Sequence, residues 1–530
     1  MRTPKAGITG EEWLTYKPYD RLSRYDQAYL AIADELLKRM RGYQSYVEVM
    51  RIEPEDLRSL AVIWASYLED LANDIGLWSA FSERCQAEFG YPVPLYPIYE
   101  GYTPGAVNWQ DLAFIAWHYV STVSDAVVVP DIPFLQDLSL EVAPWLAKQL
   151  RQAPTTDFYE EYLIIDPEDE DDFFYLRDKL SWVGTGSYLT LPSAKENMAR
   201  EMEAFTEDLD FEDPLAMDFV MQVGYTVNMR IATSDCTTWA GLSAAEWLAE
   251  LVDASDEYLD HLTGPLPRFN SFFRYLDEND QYYQWLELTQ QQRLDVVRES
   301  VDLSAQEKSG EGGMFATLVQ WKGEWWLSGG LMYYPKVPSP LTPSQSTIYW
   351  LSTPEERAVN LAAVADLEKA FLEVLGAPVV CFDSKQEAEA QLEKVMVRFR
   401  SMKSLSSEQK QKEATALMLP SEVTDEQGRL AATFVKGESL RFRSEIPGLV
   451  DLMQKEPLTK NEAQEKFHYL LSGFLHPDEV AALLQVYPQQ ELRVPVPGST
   501  RDLLPYVNFL AYFFQPGAYE PRIPQLPTKG

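Results

Sequence analysis

Apolar residues recur at helical spacing along much of the chain. Large apolar side chains every three or four residues predict amphipathic helices at 20–41, 54–75 and 108–123. The same period predicts further helices at about 193–204, 215–232, 243–262 and 281–303. Residues 89–105 separate two of these helices and contain repeated prolines, glycines and aromatics. Because proline and glycine interrupt both helices and strand ladders, this segment is predicted to be an ordered loop.

Residues 315–330, with the sequence FATLVQWKGEWWLSGG, have the pattern of a β-hairpin instead. Its centre is the pair Lys322 and Gly323, and a two-residue turn of type I′ needs a positive φ at both positions. Glycine takes that conformation easily, and lysine takes it at some cost. With this turn Val319 faces Trp326, and the side chains of directly opposed residues lie on the same face of the hairpin.

Neither face of this predicted hairpin is polar. Polar residues at alternate positions would mark a face open to solvent, and they are missing. We therefore predict a hairpin covered on both faces, by a helix layer on one and by another sheet or loop on the other. Leu318 and Trp326 should then be nearly inaccessible. The alternative is a ligand platform, on which Trp321, Trp325 and Trp326 lie open on a concave surface.

The composition changes sharply near residue 350, because none of the 14 tryptophans lies beyond Trp350. We predict a domain boundary at 352–356, between a mainly helical, tryptophan-rich domain over 1–352 that contains the hairpin and a smaller α+β domain over 353–530. In the second domain the pattern predicts helices at 356–376, 385–402, 461–475 and 476–488, a strand at 377–382 and a hairpin at 430–444. The expected fold class is mainly α with a small antiparallel or mixed β element (α+β), in more than one domain.

The chain has 45 basic and 82 acidic residues, a formal net charge of −37. Binding to nucleic acid needs clustered lysine and arginine, so it is disfavoured, and an anionic membrane surface is disfavoured for the same reason. A basic protein partner, or solubility alone, fits this charge better. A protein partner is possible, nucleic acid and membrane are not expected partners, and the oligomeric state stays open.

Cysteine use and hydropathy favour a cytoplasmic protein. Cys85, Cys236 and Cys381 are far apart and form no C-x-x-C pair, which is typical of a reducing compartment. The N-terminal residues lack the apolar core of a signal peptide. The most apolar long stretch, 112–135, is interrupted by polar residues and prolines, so it is not predicted to span a membrane.

No motif of known chemistry stands out. There is no phosphate-binding glycine loop and no metal-spaced pair among the four histidines, and His118 is expected to be a partly buried, hydrogen-bonded side chain, not a catalytic base. The acidic run 166–178 lacks the glycine and the final glutamate of a calcium loop, so it is predicted to be a helix start or a solvated loop. Ser407 and Lys410 have nucleophile-pair spacing in a polar connection, where chance explains it. We predict no catalytic, cofactor-binding or metal-binding residue.

Several segments resemble one protein family. They are EWLTYKPYDRLSRYDQAYLAIADELL, DLRSLAVIWASYLEDLANDIGLWSAF and NWQDLAFIAWHYVS near the N-terminus, GMFATLVQWKGEWWLSGG in the middle, and FVKGESLRFRSEIPGLVDLM near the C-terminus. Together they look like the DUF3843 proteins, an uncharacterised family of the Bacteroidetes. The resemblance implies a bacterial source. It implies no activity and no residue roles.

Two functional hypotheses remain. The first is a non-catalytic binding or regulatory protein that engages a protein partner through an acidic surface, and it is favoured because histidine, cysteine and glycine signatures are missing. The alternative is a hydrolase or transferase that uses carboxylates, or a metal held by them. That alternative predicts a cleft in which two or more acids with raised pKa values converge.

Overall fold

The structure is a computed structural model, and it describes residues 7–43, 52–98, 101–124, 128–207, 209, 216–402, 423–471, 473–493, 501–520 and 522–524. The chain forms two compact units, Met1–Thr347 and Ile348–Gly530. Helices predominate, and a five-stranded and a three-stranded sheet complete the fold, so the predicted fold class is confirmed. In the part of the chain that the structure describes, none of the helices combines the length and the apolar character needed to cross a bilayer.

The helices of the first unit precede its sheet in the sequence. They are α1 (Gly10–Leu14), α2 (Asp26–Arg41), α3 (Pro54–Asn73), α4 (Leu77–Phe89), α5 (Trp109–Val123), α6 (Pro133–Leu150), α7 (Phe158–Leu163), α8 (Phe173–Ser181), α9 (Leu191–Thr206), α10 (Ala216–Thr233), α11 (Ala244–Leu251) and α12 (Asp256–Asp260). The predicted helices at 54–75 and 108–123 are confirmed as α3 and α5, and the one predicted at 20–41 is α2, which begins only at Asp26. Pro54 occupies the first turn of α3, where its missing N–H has no intrahelical partner to lose.

Five strands follow and close into a barrel. They are β1 (Arg268–Glu278), β2 (Tyr282–Glu287), β3 (Gln292–Val297), β4 (Gly313–Trp321) and β5 (Glu324–Tyr334), in the spatial order β1-β2-β3-β5-β4. β1 pairs through its first half with β4 and through its second half with β2, both antiparallel, and β3 runs parallel to β5. A strand shared between two neighbours in this way gives a five-stranded Greek-key barrel of the OB type.

The predicted hairpin is the β4–β5 pair. Lys322 (φ 45°) and Gly323 (φ 87°) form the two-residue turn, and Val319 lies opposite Trp326 as the turn requires. Leu318 is 0% exposed and Trp326 is 5% exposed. The burial predicted for these two residues is therefore confirmed.

Each face of the hairpin has its own cover within the first unit. On the outer face, Trp326 packs on Phe173 of α8, with ring centroids 5.7 Å apart, and Trp321 packs on Tyr258 of α12 at 5.3 Å. On the inner face, Trp325 meets Phe269 of β1 edge to face at 4.9 Å inside the barrel. A helix layer and a sheet thus enclose the hairpin, in the arrangement that the absence of a polar face predicts.

Two predicted helices are wrong or incomplete. Residues 281–303 form β2 and β3, because their inward side chains alternate with a period of two and the intervening turn is made by Gln291 at φ 57° without a glycine. Residues 243–262 form two short helices, α11 and α12, separated at 252–255. Ser255 caps the second of them by accepting a hydrogen bond from the Tyr258 N–H, which starts a new helix where one long helix was predicted.

The second unit is a three-stranded antiparallel sheet with helices. After α13 (Gln345–Leu351), which spans the division, come α14 (Pro354–Leu375), β6 (Val379–Phe382), α15 (Lys385–Ser401), β7 (Leu430–Val435), β8 (Ser439–Arg443), α16 (Ile446–Gln454), α17 (Lys460–Leu471), α18 (Pro477–Val486) and α19 (Val507–Phe513). The sheet order is β6-β7-β8, and α14 and α15 share its apolar core.

Several local predictions for the second unit are confirmed. The predicted strand at 377–382 is β6, and the predicted hairpin at 430–444 is β7–β8. Its connection contains three residues, because Val435 pairs with Ser439 across Lys436, Gly437 and Glu438. His476 stands at the N-cap of α18, where the sequence predicted a helix start.

Candidate functional site

The turn between α3 and α4 borders an open cleft of about 90 Å³. Asp74 ends α3 with left-handed backbone angles (φ 50°), and Gly76, at φ 96°, turns the chain into α4. A side chain at Gly76 would be strained in that conformation, so the sequence needs glycine there. Loop residues around Tyr102 form the facing wall of the cleft.

Asp70 lies on the inner side of the cleft and joins α3 to α4. Its carboxylate accepts hydrogen bonds from the backbone N–H groups of Gly76 (2.8 Å), Leu77 (3.2 Å) and Trp78 (2.8 Å), and from the Tyr188 hydroxyl (2.8 Å). The N–H groups at a helix start have no intrahelical acceptor, so Asp70 takes over their capping from a distance along the chain. This carboxylate therefore fixes the geometry of the turn.

A second buried carboxyl, that of Asp111, lies behind the cleft. Asp111 accepts hydrogen bonds from the Tyr67 hydroxyl (2.8 Å) and the Asn108 amide (3.0 Å). Asn108 also donates to the Thr103 carbonyl of the facing loop. Its helix was predicted to begin with Asn108 as a side-chain cap, and the start is confirmed, but the Asn108 side chain binds the loop and Asp111 instead of the helix N–H groups.

Burial raises the pKa values of both carboxyls. It raises the pKa of Asp70 to about 6, although the four donors act in the opposite direction. It raises the pKa of Asp111 to about 7 against the hydrogen bonds from Asn108 and Tyr67. Burial and the neighbouring Asp111 carboxyl also raise the pKa of Tyr102, which links Asp111 to the wall of the cleft.

The mouth of the cleft is acidic. Asp74 and Glu83 are exposed there, and none of the described residues that line the cleft is a lysine or arginine. Neither carboxylate forms an ion pair with a residue that the structure describes. Half-buried Tyr102 contributes aromatic surface to the wall beside this negative charge, whereas Trp78 lines the cleft but is only 3% exposed.

A neighbouring side of α3, at Glu69, carries a different charged cluster. The ammonium of Lys17 pairs with the Glu69 carboxylate, donates to the Ser66 hydroxyl at 3.0 Å and lies 3.6 Å from the centroid of the Trp13 ring. Both charged side chains are almost completely buried, and burial lowers the pKa of Lys17. The Tyr25 hydroxyl also donates to Glu69, at 3.0 Å. Each of the two buried charges therefore has both an opposite charge and further hydrogen-bond or ring partners, as in a structural ion pair.

His118 lies in the interior of the first unit. Its Nε2 atom is 2.8 Å from the Thr238 hydroxyl, and its ring stacks on Trp239 at 3.8 Å. Burial lowers the pKa of His118 to about 3, so the ring is neutral near pH 7. The predicted hydrogen-bonded state is confirmed, with burial more complete than the sequence indicated.

The three tryptophans of the hypothetical ligand platform lie in the core. Trp321 is 1% exposed, Trp325 9% and Trp326 5%. A platform needs an open ring face, which these exposures do not provide, and the function proposed below does not use them. Ser407 and Lys410 lie outside the described residues.

Within the described ranges, no group of three or more His, Cys, Asp or Glu side chains has the geometry of a metal site. The acidic run 166–178 becomes a turn followed by α8, and Asp172 caps that helix by accepting from the Phe174 N–H at 2.7 Å. Glu170 and Asp171 pair with Lys322 at the hairpin turn. The predicted helix start is confirmed, and part of the run anchors β4–β5.

Sequence reasoning missed the roles of Asp70 and Asp111. A signal was present for the first, since Asp70 continues the helical stripe of Ile63 and Tyr67, where an apolar residue would be expected. An acid on a buried stripe needs a partner, and here the partner is the start of the next helix. Nothing local identified that partner, because the turn geometry depends on tertiary packing.

The region that builds this cleft is also the region that a protein-family model matches. The fold and the site together describe this region as a mainly helical unit that carries an acidic cleft. Residues 8–263 match the family described as "Protein of unknown function (DUF3843)". The predicted resemblance is confirmed over these residues. The segments 313–330 and 434–453, which also suggested it, lie outside the matched range. No curated protein and no solved structure matches the chain.

Proposed function

We propose that the chain is a non-catalytic binding protein whose acidic cleft receives a cationic group of a basic protein partner. The observation that carries the proposal is the pair Asp74 and Glu83 at the mouth of the cleft. Neither carboxylate forms an ion pair with a residue that the structure describes, and none of the described lining residues is a lysine or arginine. The net charge of −37 attracts a basic partner over a longer range and speeds its encounter. The cysteines form no disulfide, in keeping with a cytoplasmic bacterial protein.

The dimensions of the cleft favour a side chain over a free substrate. Small-molecule sites commonly enclose roughly 300–1,000 Å³, and this cleft offers about 90 Å³. Such a volume suits one ammonium or guanidinium group presented by a larger molecule. The ring of half-buried Tyr102 favours a cation there, because an aromatic ring is electron-rich over its face.

The inner carboxyl supports this role structurally. Asp70 is occupied by four hydrogen-bond donors, so it holds the turn and leaves Asp74 and Glu83 to meet the ligand. Exposed ion pairs contribute little individually, about 0.2–1 kcal/mol each. The cleft alone should therefore give weak binding that an adjoining contact surface strengthens.

Binding can be tested with a fluorescein-labelled basic peptide of lysine, glycine and serine, followed by fluorescence anisotropy. Asp74→Asn/Glu83→Gln should weaken binding about three- to tenfold. The matched control is Glu160→Gln/Glu161→Gln, which removes the same charge from exposed positions on α7 and should leave binding within twofold. Equal effects of the two double variants would show attraction to net charge alone and would contradict the proposal.

A second candidate function is carboxyl acid–base catalysis at the same turn. It is favoured by the raised pKa values of Asp70, about 6, and Asp111, about 7, because catalytic acids and bases are often tuned toward neutral pH. Chromogenic 4-nitrophenyl esters, phosphates and glycosides provide the test. Turnover that is lost in Asp111→Asn and follows a pH profile with an inflection near 7 would support it, and no turnover on any of them would count against it.

A further inference from the structure

The outward face of α10 carries a stripe of large apolar side chains. Met217 and Met221 are each 59% exposed, and Tyr225 is 43% exposed. They are spaced by four residues, so they lie along one side of the helix over about 12 Å. We call these three residues the α10 stripe. Phe205, at the end of the neighbouring helix α9, is 51% exposed as well.

The other two sides of α10 are packed within the first unit. Val223 and Val227 join α9 in a small apolar cluster. Thr226 accepts a hydrogen bond from the Gly330 N–H of β5 at 2.8 Å, and the Gln222 backbone lies close to the same glycine. The apolar character of the α10 stripe is therefore not explained by the packing that holds the helix in place.

One edge of the stripe is held in a fixed position. The Arg177 guanidinium donates to the Tyr225 hydroxyl at 3.0 Å and lies 4.6 Å from the centroid of the Phe174 ring. Arg177 is thereby engaged with α10 and with its own helix α8. Met217 and Met221 are each more than half exposed, and their flexible thioether side chains adapt to differently shaped apolar partners.

We propose that the α10 stripe is a docking surface for a cationic amphipathic helix of a protein partner. The proposal deepens the function proposed above and rests on its basic partner. A helix with apolar side chains at i, i+4 and i+7 would lay them along the stripe, in the manner of helix-in-groove recognition. Its basic face would meet a molecule of net charge −37.

Charge decides between this occupant and two others. A second copy of the chain would bring a further −37 to the surface, and an anionic bilayer would repel the acidic molecule as well. Only a positively charged partner gains attraction along with the apolar contact. The same combination of exposed methionines and an acidic molecule would give low selectivity among basic amphipathic sequences.

The test uses a fluorescein-labelled helix of leucine and lysine in amphipathic order and a scrambled peptide of equal composition. Wild type should bind the ordered peptide at least tenfold more tightly than the scrambled one. Met217→Gln/Met221→Gln should weaken binding of the ordered peptide at least tenfold. The matched control is Leu140→Gln/Ile164→Gln, at positions 44% and 45% exposed elsewhere on the first unit, and it should change binding less than twofold.

The outcomes separate this inference from the proposed function. If Met217→Gln/Met221→Gln binds the ordered peptide like wild type, the docking surface is disproved, whatever the cleft does. If the stripe variant loses binding but Asp74→Asn/Glu83→Gln and wild type are indistinguishable with the basic peptide, the stripe stands and the cleft proposal fails. Binding of an ordered leucine and glutamate peptide as tight as that of the lysine peptide would also overturn the cationic specificity.

Discussion

Glu69 and Asp70 are adjacent buried carboxyls of α3, and their different partners give them different structural roles. Glu69 faces the Lys17 ammonium and the Tyr25 hydroxyl, whereas Asp70 faces backbone N–H groups at the start of α4. The side-chain directions differ because neighbouring helical residues are separated by about 100°. One residue therefore belongs to an enclosed ion pair and the next to the floor of a cleft.

Removing the lysine of this pair should be strongly destabilising. Lys17→Met leaves the Glu69 carboxylate buried without a cation, and breaking one side of a buried pair costs about 3–5 kcal/mol. Urea denaturation measures the change in the free energy of unfolding. Adding Glu69→Gln to Lys17→Met should recover a substantial part of the loss, and a single variant as stable as wild type would show that the pair contributes nothing.

Asp111 should make stability fall as the pH rises. Its pKa is raised from 3.8 to about 7 in the folded chain, so the folded state holds the proton more tightly than the unfolded state. Stability from this group is present below the unfolded pKa and is lost as the pH rises through 7. Asp111→Asn removes the titration. Relative to wild type, the variant should gain about 2–3 kcal/mol between pH 5 and pH 8.

Guanidinium denaturation at pH 5 and pH 8 provides that measurement. Asp137→Asn, at an exposed position of α6, is the matched control. A difference between Asp111→Asn and wild type that does not change with pH would show that the Asp111 carboxyl titrates in the ordinary range.

At the residue scale, the sequence predicted which side chains are buried better than it predicted their hydrogen-bond partners. The burial of Leu318 and Trp326 followed from the missing polar face of a single hairpin, which is a local pattern. The capping role of Asp70 depends on a turn and on Tyr188, far along the chain. Such partnerships arise only when distant segments are packed, so pattern and spacing do not reveal them.

At the scale of elements, two hairpins of the same barrel had unequal signals. β4–β5 turns at Lys322 and Gly323, and glycine with flanking aromatics identifies such a turn. β2–β3 turns at Gln291 with a positive φ, and a glutamine-rich turn has the composition of a helix surface. The second hairpin was therefore predicted as a helix. β1 was not predicted at all. Most residues in its second half, Arg274–Glu278, are exposed, so the apolar alternation of a half-buried strand does not continue along it.

The barrel type does not itself decide a ligand. OB-type barrels bind oligonucleotides or oligosaccharides on the face of their second and third strands. Here that outer face presents Gln284 opposite Asp295 and Leu286 opposite Arg293, so its charges cancel. A fold hosts many functions, and the prediction that nucleic acid is not a partner rests on the molecular charge instead.

The contact between α10 and β5 depends on a glycine. A Cβ atom at Gly330 would lie 2.8 Å from the backbone carbonyl oxygen of Gln222, which a backbone shift alone can relieve. Gly330→Ala should therefore destabilise the chain by roughly 1–3 kcal/mol. Gly264→Ala, where a Cβ meets nothing within 4 Å, should stay within about 0.5 kcal/mol of wild type. Thermal or urea unfolding compares the two, and equal stabilities would refute the close packing.

At the scale of the whole molecule, the spacing of apolar residues predicted the fold class correctly. Helical period dominates the sequence, and the β signals are few, which is the balance that the structure has. The structure divides at 347 and 348, and the predicted boundary at 352–356 remains a prediction about independent folding. The charge of −37 bounds the partners but names none.

The segment 1–352 should fold when expressed alone. A cut there keeps the Ser346 hydroxyl bonded to the Arg268 carbonyl (2.7 Å) and the Thr347 hydroxyl bonded to the Asn270 carbonyl (3.2 Å), so the start of β1 stays tied down. We expect a cooperative thermal transition and native-like near-ultraviolet circular dichroism. Aggregation or a broad, non-cooperative transition would place the boundary elsewhere.

The distribution of tryptophan has an optical consequence. Every tryptophan except Trp350 lies in the first unit, and many of them, including Trp285 and Trp321, are shielded from water. Nearly all of the tryptophan fluorescence of the chain therefore comes from the first unit. Indole emission shifts to longer wavelength on exposure to water, so this fluorescence reports the unfolding of that unit. Cys381, half-buried in β6, offers the second unit a chemical signal through alkylation read by peptide mass. The unmodified chain thus carries a separate reporter for each unit.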